Sequence, residues 1–416
     1  MKIIVCHPGK QHSFQLATAA QKAGVLLSYI TSVYLKKRSW TKILYDNAKG
    51  DLHKKIGTRR CNAIPDNLVL QYNEFRVILT LLLNRLHISQ KFAEQWNFFT
   101  ESSFYKKVMK FAKRHQPNAI IYYNGYARKH LDLLSDSSIT KIMDVSIAHR
   151  LYLKDILEKE IQRTGLSQIQ HDHLSYWDSK MIAADLEGCR YTDYFLVPSN
   201  FVKKSLIANG IKEEQIKLVP YGVNTDIFKP SRAKQLHTGE KIRLLYVGSI
   251  SYRKGIHRLL KVVSTMNDVE LTLAGSYDPN SEIVNNYRNA PNILFLGFIT
   301  RDRLNQIYND SHIFVLPSFC EGMAMVGLEA MSAGLPIICT TNTGVNDVVV
   351  NGINGFVYDP EDDNALREYI SWFKDNPDKL ESMSQSARET SLEYTWDVYH
   401  QNVINAIKEC VGYNKL

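Results

Sequence analysis

Short, uninterrupted apolar runs alternate with amphipathic stretches along most of the chain. Ile3-Ile4-Val5-Cys6 comes first, then the loop His7-Pro8-Gly9-Lys10-Gln11-His12, then a helical pattern from Ser13 carrying Leu16, Ala17 and Ala20. Gly24 ends that helix and residues 25–31 form the next strand, so the chain opens as a doubly wound parallel sheet does. Residues 32–115 are less regular, with helical patterning around 75–86 and 102–114. Strands are predicted at 119–123, 141–146, 194–198 and 216–219, with a helix over 199–208 that stops at Asn209-Gly210. A stretch containing Pro, Lys and Gly, 221–241, reads as a linker. A second alternation follows, with strands at 242–248, 270–274, 293–296, 313–317, 336–340 and 355–358. The runs are continuous instead of alternating, which predicts parallel sheets covered on both faces. The expected architecture is therefore α/β: two Rossmann-like doubly wound parallel-sheet domains, 1–230 and 231–394, facing a central cleft. The final helical segment, 395–416, is long enough to pack back on the first domain.

Length agrees with two cores, since 416 residues exceed what one hydrophobic core usually serves. Six scattered cysteines form no C-x-x-C pair or metal-ligand spacing, which favours a reduced cytoplasmic protein over a disulfide or zinc framework. The first residues read as a strand, not a leader. The run from Val77 to Leu83 falls far short of the roughly 20 residues that span a bilayer. Charge is uneven: residues 1–150 hold 24 Lys and Arg against 9 Asp and Glu, and the remainder 27 against 33. That excess points the first half at something anionic, such as a phospholipid surface or a pyrophosphate-linked lipid. No nucleic-acid-binding pattern accompanies it.

Two segments carry the chemistry. Ser318-Phe319-Cys320-Glu321-Gly322-Met323-Ala324 leads from a strand into a helix of about 324–333, closed by Gly334 before Pro336. Gly322 permits close approach of a ligand, and the amides near Met323 and Ala324 are expected to point unpaired into the cleft, suited to a diphosphate or a sugar hydroxyl. Glu321 precedes that helix and Glu329 lies on it. Were all eight steps helical, the two would stand roughly 12 Å apart, too far to share a proton. The second segment is Gly248-Ser249-Ile250-Ser251-Tyr252-Arg253-Lys254-Gly255. Its adjacent cations at a strand's C-terminal edge suit a departing diphosphate, Arg through bidentate hydrogen bonds and Lys as a mobile charge.

Together these pieces resemble the retaining glycosyltransferase family 4 (glycosyl transferases group 1), whose fold is GT-B. The resemblance rests on Glu321-Gly322…Glu329, Gly248…Arg253-Lys254-Gly255, Pro198-Ser199-Asn200-Phe201-Val202, Tyr221-Gly222-Val223-Asn224 through Pro230, and Asn351-Gly352…Gly355-Phe356. It covers 190–400 in order, plus the Gly9 loop. It implies that Arg253 and Lys254 neutralise the donor diphosphate without a metal or other cofactor, and that Glu329 binds the ribose hydroxyls. Glu321, with the amides of Gly322, Met323 and Ala324, would hold the transferred sugar. Phe298 falls where the family's backbone reads the nucleobase, Gly9 would close over the phosphates, and His149 would face the donor sugar and acceptor. Many members carry Arg directly after Gly248's equivalent, where this chain has Ser249, which leaves Arg253 to substitute.

The resemblance further implies a nucleotide-sugar donor (UDP- or GDP-sugar) and front-face transfer to a glycan. A lipid-linked glycan of bacterial surface-polysaccharide synthesis fits the basic first half, as does peripheral contact with an anionic membrane on its inner face through Trp40 and the 76–86 stretch. The rivals are another enzyme on this scaffold, such as a nucleotide-sugar epimerase or a phosphorylase, and a non-catalytic sugar-nucleotide-binding scaffold, raised mainly by Ser249.

Overall fold

The computed structural model describes residues 1–10, 12–85, 90–123, 130–237 and 239–412. The membrane stretch expected at 76–86 therefore lies outside them at residue 86, and the final helical segment at 413–416. Seven strands make the first sheet: β1 (Ile3–Cys6), β2 (Leu26–Thr31), β3 (Val69–Gln71), β4 (Ala119–Tyr123), β5 (Thr140–Asp144), β6 (Tyr194–Val197) and β7 (Ile216–Leu218). Their order is β3-β2-β1-β4-β5-β6-β7, parallel at every pairing. Six more strands make the second: β8 (Ile242–Val247), β9 (Val269–Ala274), β10 (Ile293–Gly297), β11 (Ile313–Leu316), β12 (Ile337–Thr340) and β13 (Gly355–Tyr358). They run β10-β9-β8-β11-β12-β13, again all parallel.

The inner strands β1, β4, β11 and β12 are buried at every position, which is why they read as unbroken apolar runs. Helix starts follow local capping chemistry. The Ser199 hydroxyl accepts the Val202 amide at 3.3 Å before the helix Asn200–Ile207, and the Thr395 hydroxyl accepts the Val398 amide at 3.3 Å before the helix Trp396–Cys410.

The two sheets are joined by two strands of chain lying side by side. The Val223 amide donates to the Tyr394 carbonyl at 2.8 Å. Gly222 sits so close that a Cβ there would lie 2.5 Å from the Thr395–Trp396 backbone. Beyond this crossing the helix Trp396–Cys410 lies on the helix Ser13–Lys22 of the first sheet. Lys22 pairs with Asp397 at 2.8 Å, and His400 Nε2 meets Gln15 Oε1 at 3.0 Å.

Candidate active site

β8 ends at Val247, and the chain leaves it through Gly248 at φ 150°. A Cβ here would come 2.6 Å from the Tyr246 hydroxyl. That hydroxyl donates to the Ser249 carbonyl at 2.9 Å, so Ser249 anchors the loop by its backbone. A single 3₁₀ turn, Tyr252–Lys254, then presents Arg253 and Lys254, and Gly255, at φ 68°, packs against the Pro317 carbonyl at the end of β11. A Cβ at Gly255 would lie 1.8 Å from that oxygen, which explains the glycine after the cationic pair.

Both cations turn to the loop that follows β11. Arg253 Nη1 donates to the Cys320 carbonyl at 2.6 Å and lies 3.6 Å from Glu321 Oε1. Lys254 Nζ is ion-paired with the same carboxylate oxygen, which also accepts the Ser318 hydroxyl at 3.1 Å. Burial pushes the Glu321 carboxyl's pKa up, but Lys254 and Arg253 outweigh it and hold the group below the usual carboxylate range. Glu321 is thus the ionised counter-ion of a half-sequestered cation pair.

Gly322 comes next, and the other domain reaches it there. A Cβ on Gly322 would stand 1.9 Å from the Ser146 carbonyl, just past β5. The Ser199 hydroxyl donates to the Gly322 carbonyl at 2.6 Å, and the Tyr221 amide approaches Met323 Sδ at 3.3 Å. One expectation is corrected here. The Ala324 amide is not free for a ligand: it donates to the Thr343 carbonyl at 3.1 Å, and the helix starts one residue later, at Met325–Ser332. The first-turn amides of Met325 and Val326 have no acceptor within the helix. Since residues 321–324 are not helical, an all-helical spacing of Glu321 and Glu329 does not apply.

Glu329 lies on that helix, its side chain only 16% exposed, with Tyr308 Oη at 3.4 Å and Arg301 Nη2 at 4.0 Å. It borders an interdomain cavity of about 220 Å³ that Lys10, His12, Arg301, Met325 and Trp396 also line. Burial drives the Glu329 pKa up to about 7, against the opposing pull of Arg301 and Tyr308. Because the folded value lies above the ordinary one, ionising Glu329 costs stability, and that cost grows as pH rises from about 4.5 to about 7. If Glu329 accepts ribose hydroxyls, as the resemblance implies, it must be ionised to do so, and nucleotide affinity would then rise through the same window. Titration calorimetry with UDP between pH 5.5 and 8.5 should show this rise, flattened in Glu329→Gln. An unchanged pH profile in that variant would remove Glu329 from the nucleotide site.

The remaining candidates are placed less centrally. His149 caps the helix Arg150–Thr164, its Nδ1 accepting the Leu151 amide at 3.4 Å, which leaves the proton on Nε2. It is three residues from the Ser146 contact with Gly322. Burial lowers its pKa, so it stands as a neutral imidazole. Gly9 donates its amide to His7 Nδ1 at 2.8 Å and precedes the cavity-lining Lys10. Phe298 is 74% exposed, after Gly297 at the end of β10.

Sequence reasoning missed Lys10, Arg301 and a buried pair, His12 Nε2 with Asp144 Oδ2 at 3.0 Å. A signal for that pair existed. β1, β4 and β5 are neighbours, and both residues follow or end central strands at their C-terminal edge, where open α/β sheets bind ligands.

Two Rossmann-like parallel-sheet domains that meet in this way form the GT-B class of fold, here with a cation pair and Glu329 beside the seam. Residues 228–390 match the family model described as glycosyl transferases group 1. Among curated relatives, the sulfoquinovosyl transferase SQD2 of Arabidopsis thaliana is 29% identical over 218 residues, 50% of this chain and 42% of that protein. The capsular polysaccharide biosynthesis glycosyltransferase CapM of Staphylococcus aureus is 27% identical over 243 residues, 53% of this chain and 63% of that protein. The chain thus spans about half the length of these relatives. A solved structure, Anabaena Alr3699/HepE in complex with UDP-glucose, matches at TM-score 0.62 with 16% identity. It covers 98% of this chain and 100% of that one, and shows the common fold.

Proposed function

We propose that this chain is a retaining glycosyltransferase that moves a sugar from a nucleoside-diphosphate donor to a glycan acceptor. The observation that carries the reading is the convergence of Arg253 and Lys254 on the Glu321-Gly322 loop. Two cations held by one carboxylate are ready to be re-partnered by a diphosphate. As the glycosidic bond lengthens, negative charge builds on the departing diphosphate, and fixed cations stabilise it there. Glu321, released from Lys254, accepts hydroxyls of the transferred sugar. Glu329 takes the ribose side, next to Lys10 and Arg301 in the 220 Å³ cavity. The leaving phosphate oxygen accepts the acceptor's proton, so no second carboxylate is needed as a nucleophile.

A nucleotide-sugar donor is supported by the neighbouring fold that holds UDP-glucose, and a surface-polysaccharide acceptor by the similarity to CapM. In this reading no metal takes part, because the cation pair occupies the role of the counter-charge. Purified protein incubated with UDP- and GDP-sugars should release nucleoside diphosphate with one base class, at the same rate in EDTA. No release with any donor would overturn the reading, and loss of release in EDTA would overturn its metal-free form.

The acceptor side favours a lipid-linked glycan. Trp40, Ile43, Phe75 and Phe99 are each more than half exposed, and Trp40 and Phe75 form one aromatic pair at 5.9 Å, Trp40 lying in a segment that also carries Lys36, Lys37, Arg38 and Lys42. No described helix is long and apolar enough to cross a membrane, so this patch is the proposed peripheral contact. Co-sedimentation with vesicles should increase with their anionic lipid fraction and fall at least about fivefold in Trp40→Ala/Phe75→Ala, a loss of roughly 1 kcal/mol. Binding indifferent to both would count against a membrane role.

A further inference from the structure

Glu160 is a carboxylate of the first domain that is only 1% exposed, and its side-chain partners belong to the second. It sits on the helix Arg150–Thr164. Arg258 grips it with both edges of the guanidinium, Nε to Oε1 at 2.9 Å and Nη2 to Oε2 at 2.8 Å. His257 Nε2 meets Oε1 at 2.8 Å. Arg258 is completed by Asp363 Oδ1 at 2.9 Å. Burial pushes the Glu160 pKa up, and the His257 and Arg258 hydrogen bonds more than reverse it, so the carboxylate stays ionised. His257 Nδ1 has no partner among the described residues, in keeping with a proton placed on Nε2 toward Glu160.

The partners of Glu160 also touch the proposed donor loop. The Phe319 ring lies flat on His257, centroids 5.9 Å apart and planes 12° from parallel, and under the Arg258 guanidinium at 5.7 Å. The Phe319 amide donates to the Arg253 carbonyl at 2.9 Å, and the next carbonyl, Cys320, receives Arg253 Nη1 at 2.6 Å. Glu321 follows. His257 and Arg258 themselves stand on the helix Ile256–Val263, which starts two residues after Lys254. The first domain therefore holds this loop from two directions: at Gly322 through Ser199 and Ser146, and at Phe319 through Glu160.

We propose that Glu160 is a positioning residue which couples meeting of the two domains to the geometry of the Phe319–Cys320–Glu321 segment. A buried carboxylate–guanidinium pair behaves as a two-state contact. Formed, it is held by good geometry; separated, both ions regain water, and an intermediate with one ion buried alone is strongly disfavoured. Glu160 thus makes closure abrupt, and Phe319 passes the closed state to the residues that grip Arg253. Its kinetic arm rests on the glycosyl-transfer reading above, while its structural arm does not.

The test uses the full chain with Glu160→Gln, which keeps the shape, and Glu160→Ala, compared by small-angle scattering, UDP titration calorimetry and turnover. Without ligand, Glu160→Ala should show a larger radius of gyration than the parent, with Glu160→Gln in between. The UDP dissociation constant should change less than about threefold, whereas kcat per folded molecule should fall about tenfold or more. The double variant Glu160→Ala/Arg258→Ala should lose no more kcat than the worse single variant. An unchanged radius of gyration in Glu160→Ala overturns the closure role. A lower melting temperature with unchanged kcat per folded molecule overturns the positioning role and leaves a structural ion pair. If the parent transfers no sugar at all, the failure lies with the proposed function, and the scattering comparison alone decides whether Glu160 controls closure.

Discussion

Lys254→Ala and Arg253→Ala are each expected to lower kcat by about two to three orders of magnitude, the scale found when one preorganised charge is removed from a developing anion. The structure adds a condition that separates this loss from misfolding. Both cations serve Glu321, whose side chain is 12% exposed. Removing Lys254 leaves that carboxylate with Arg253 at 3.6 Å and the Ser318 hydroxyl at 3.1 Å, so some stability is lost as well. Adding Glu321→Gln removes the under-compensated charge. The double variant should recover at most part of the lost melting temperature, since Arg253 is then left without its carboxylate, while remaining inactive. Lys254→Arg keeps the charge but not the reach, and should retain an intermediate rate. Full turnover in either alanine variant would falsify the assignment of the diphosphate to this pair.

Arg253 and Lys254 were legible because the signal is local: a strand ending at glycine, two cations, then a second glycine. Much of the sheet was legible for a similar reason. Residues 119–123 and 355–358 were located to the residue, since strands buried in a parallel sheet are continuous apolar runs. The helix Gln90–His115 extends twelve residues further toward the N-terminus than the pattern at 102–114, because its first half mixes aromatic and polar residues without a single apolar face. The Ala324 amide was misjudged for a different reason. Its acceptor, the Thr343 carbonyl, lies nineteen positions away in a loop after β12, and no periodicity records which carbonyl a folded loop turns inward. Glu160 with Arg258, and Glu329 with Tyr308 and Arg301, escaped for the same reason. Each pairing is settled by how layers meet, and each residue alone reads as an ordinary helix charge.

Gly322→Ala should leave each domain folded and abolish most of the transfer. The obstacle to a methyl group is steric. Gly322 is not held to glycine by a left-handed backbone, for its φ is not in that region; what excludes a side chain is the neighbouring domain. An added Cβ would meet the Ser146 carbonyl at 1.9 Å and its carbon at 2.7 Å, backbone atoms that cannot rotate aside as a side-chain tip can. Relief requires the loop after β5 and the loop after β11 to part by more than 1 Å. That displacement breaks the 2.6 Å bond from Ser199 to the Gly322 carbonyl and moves the Ser146 loop, which leads into His149, away from Gly322. Misplacement on this scale costs about 10²-fold when two groups must converge on one reacting centre. The strain vanishes when the domains separate, so the melting temperature of the open chain should move little, while scattering should report a larger radius of gyration. UDP binding should persist, because Glu329 and the Arg253–Lys254 pair belong to the second domain alone. A Gly322→Ala variant that is both compact and fully active would mean that transfer does not require the closed contact between Gly322 and Ser146.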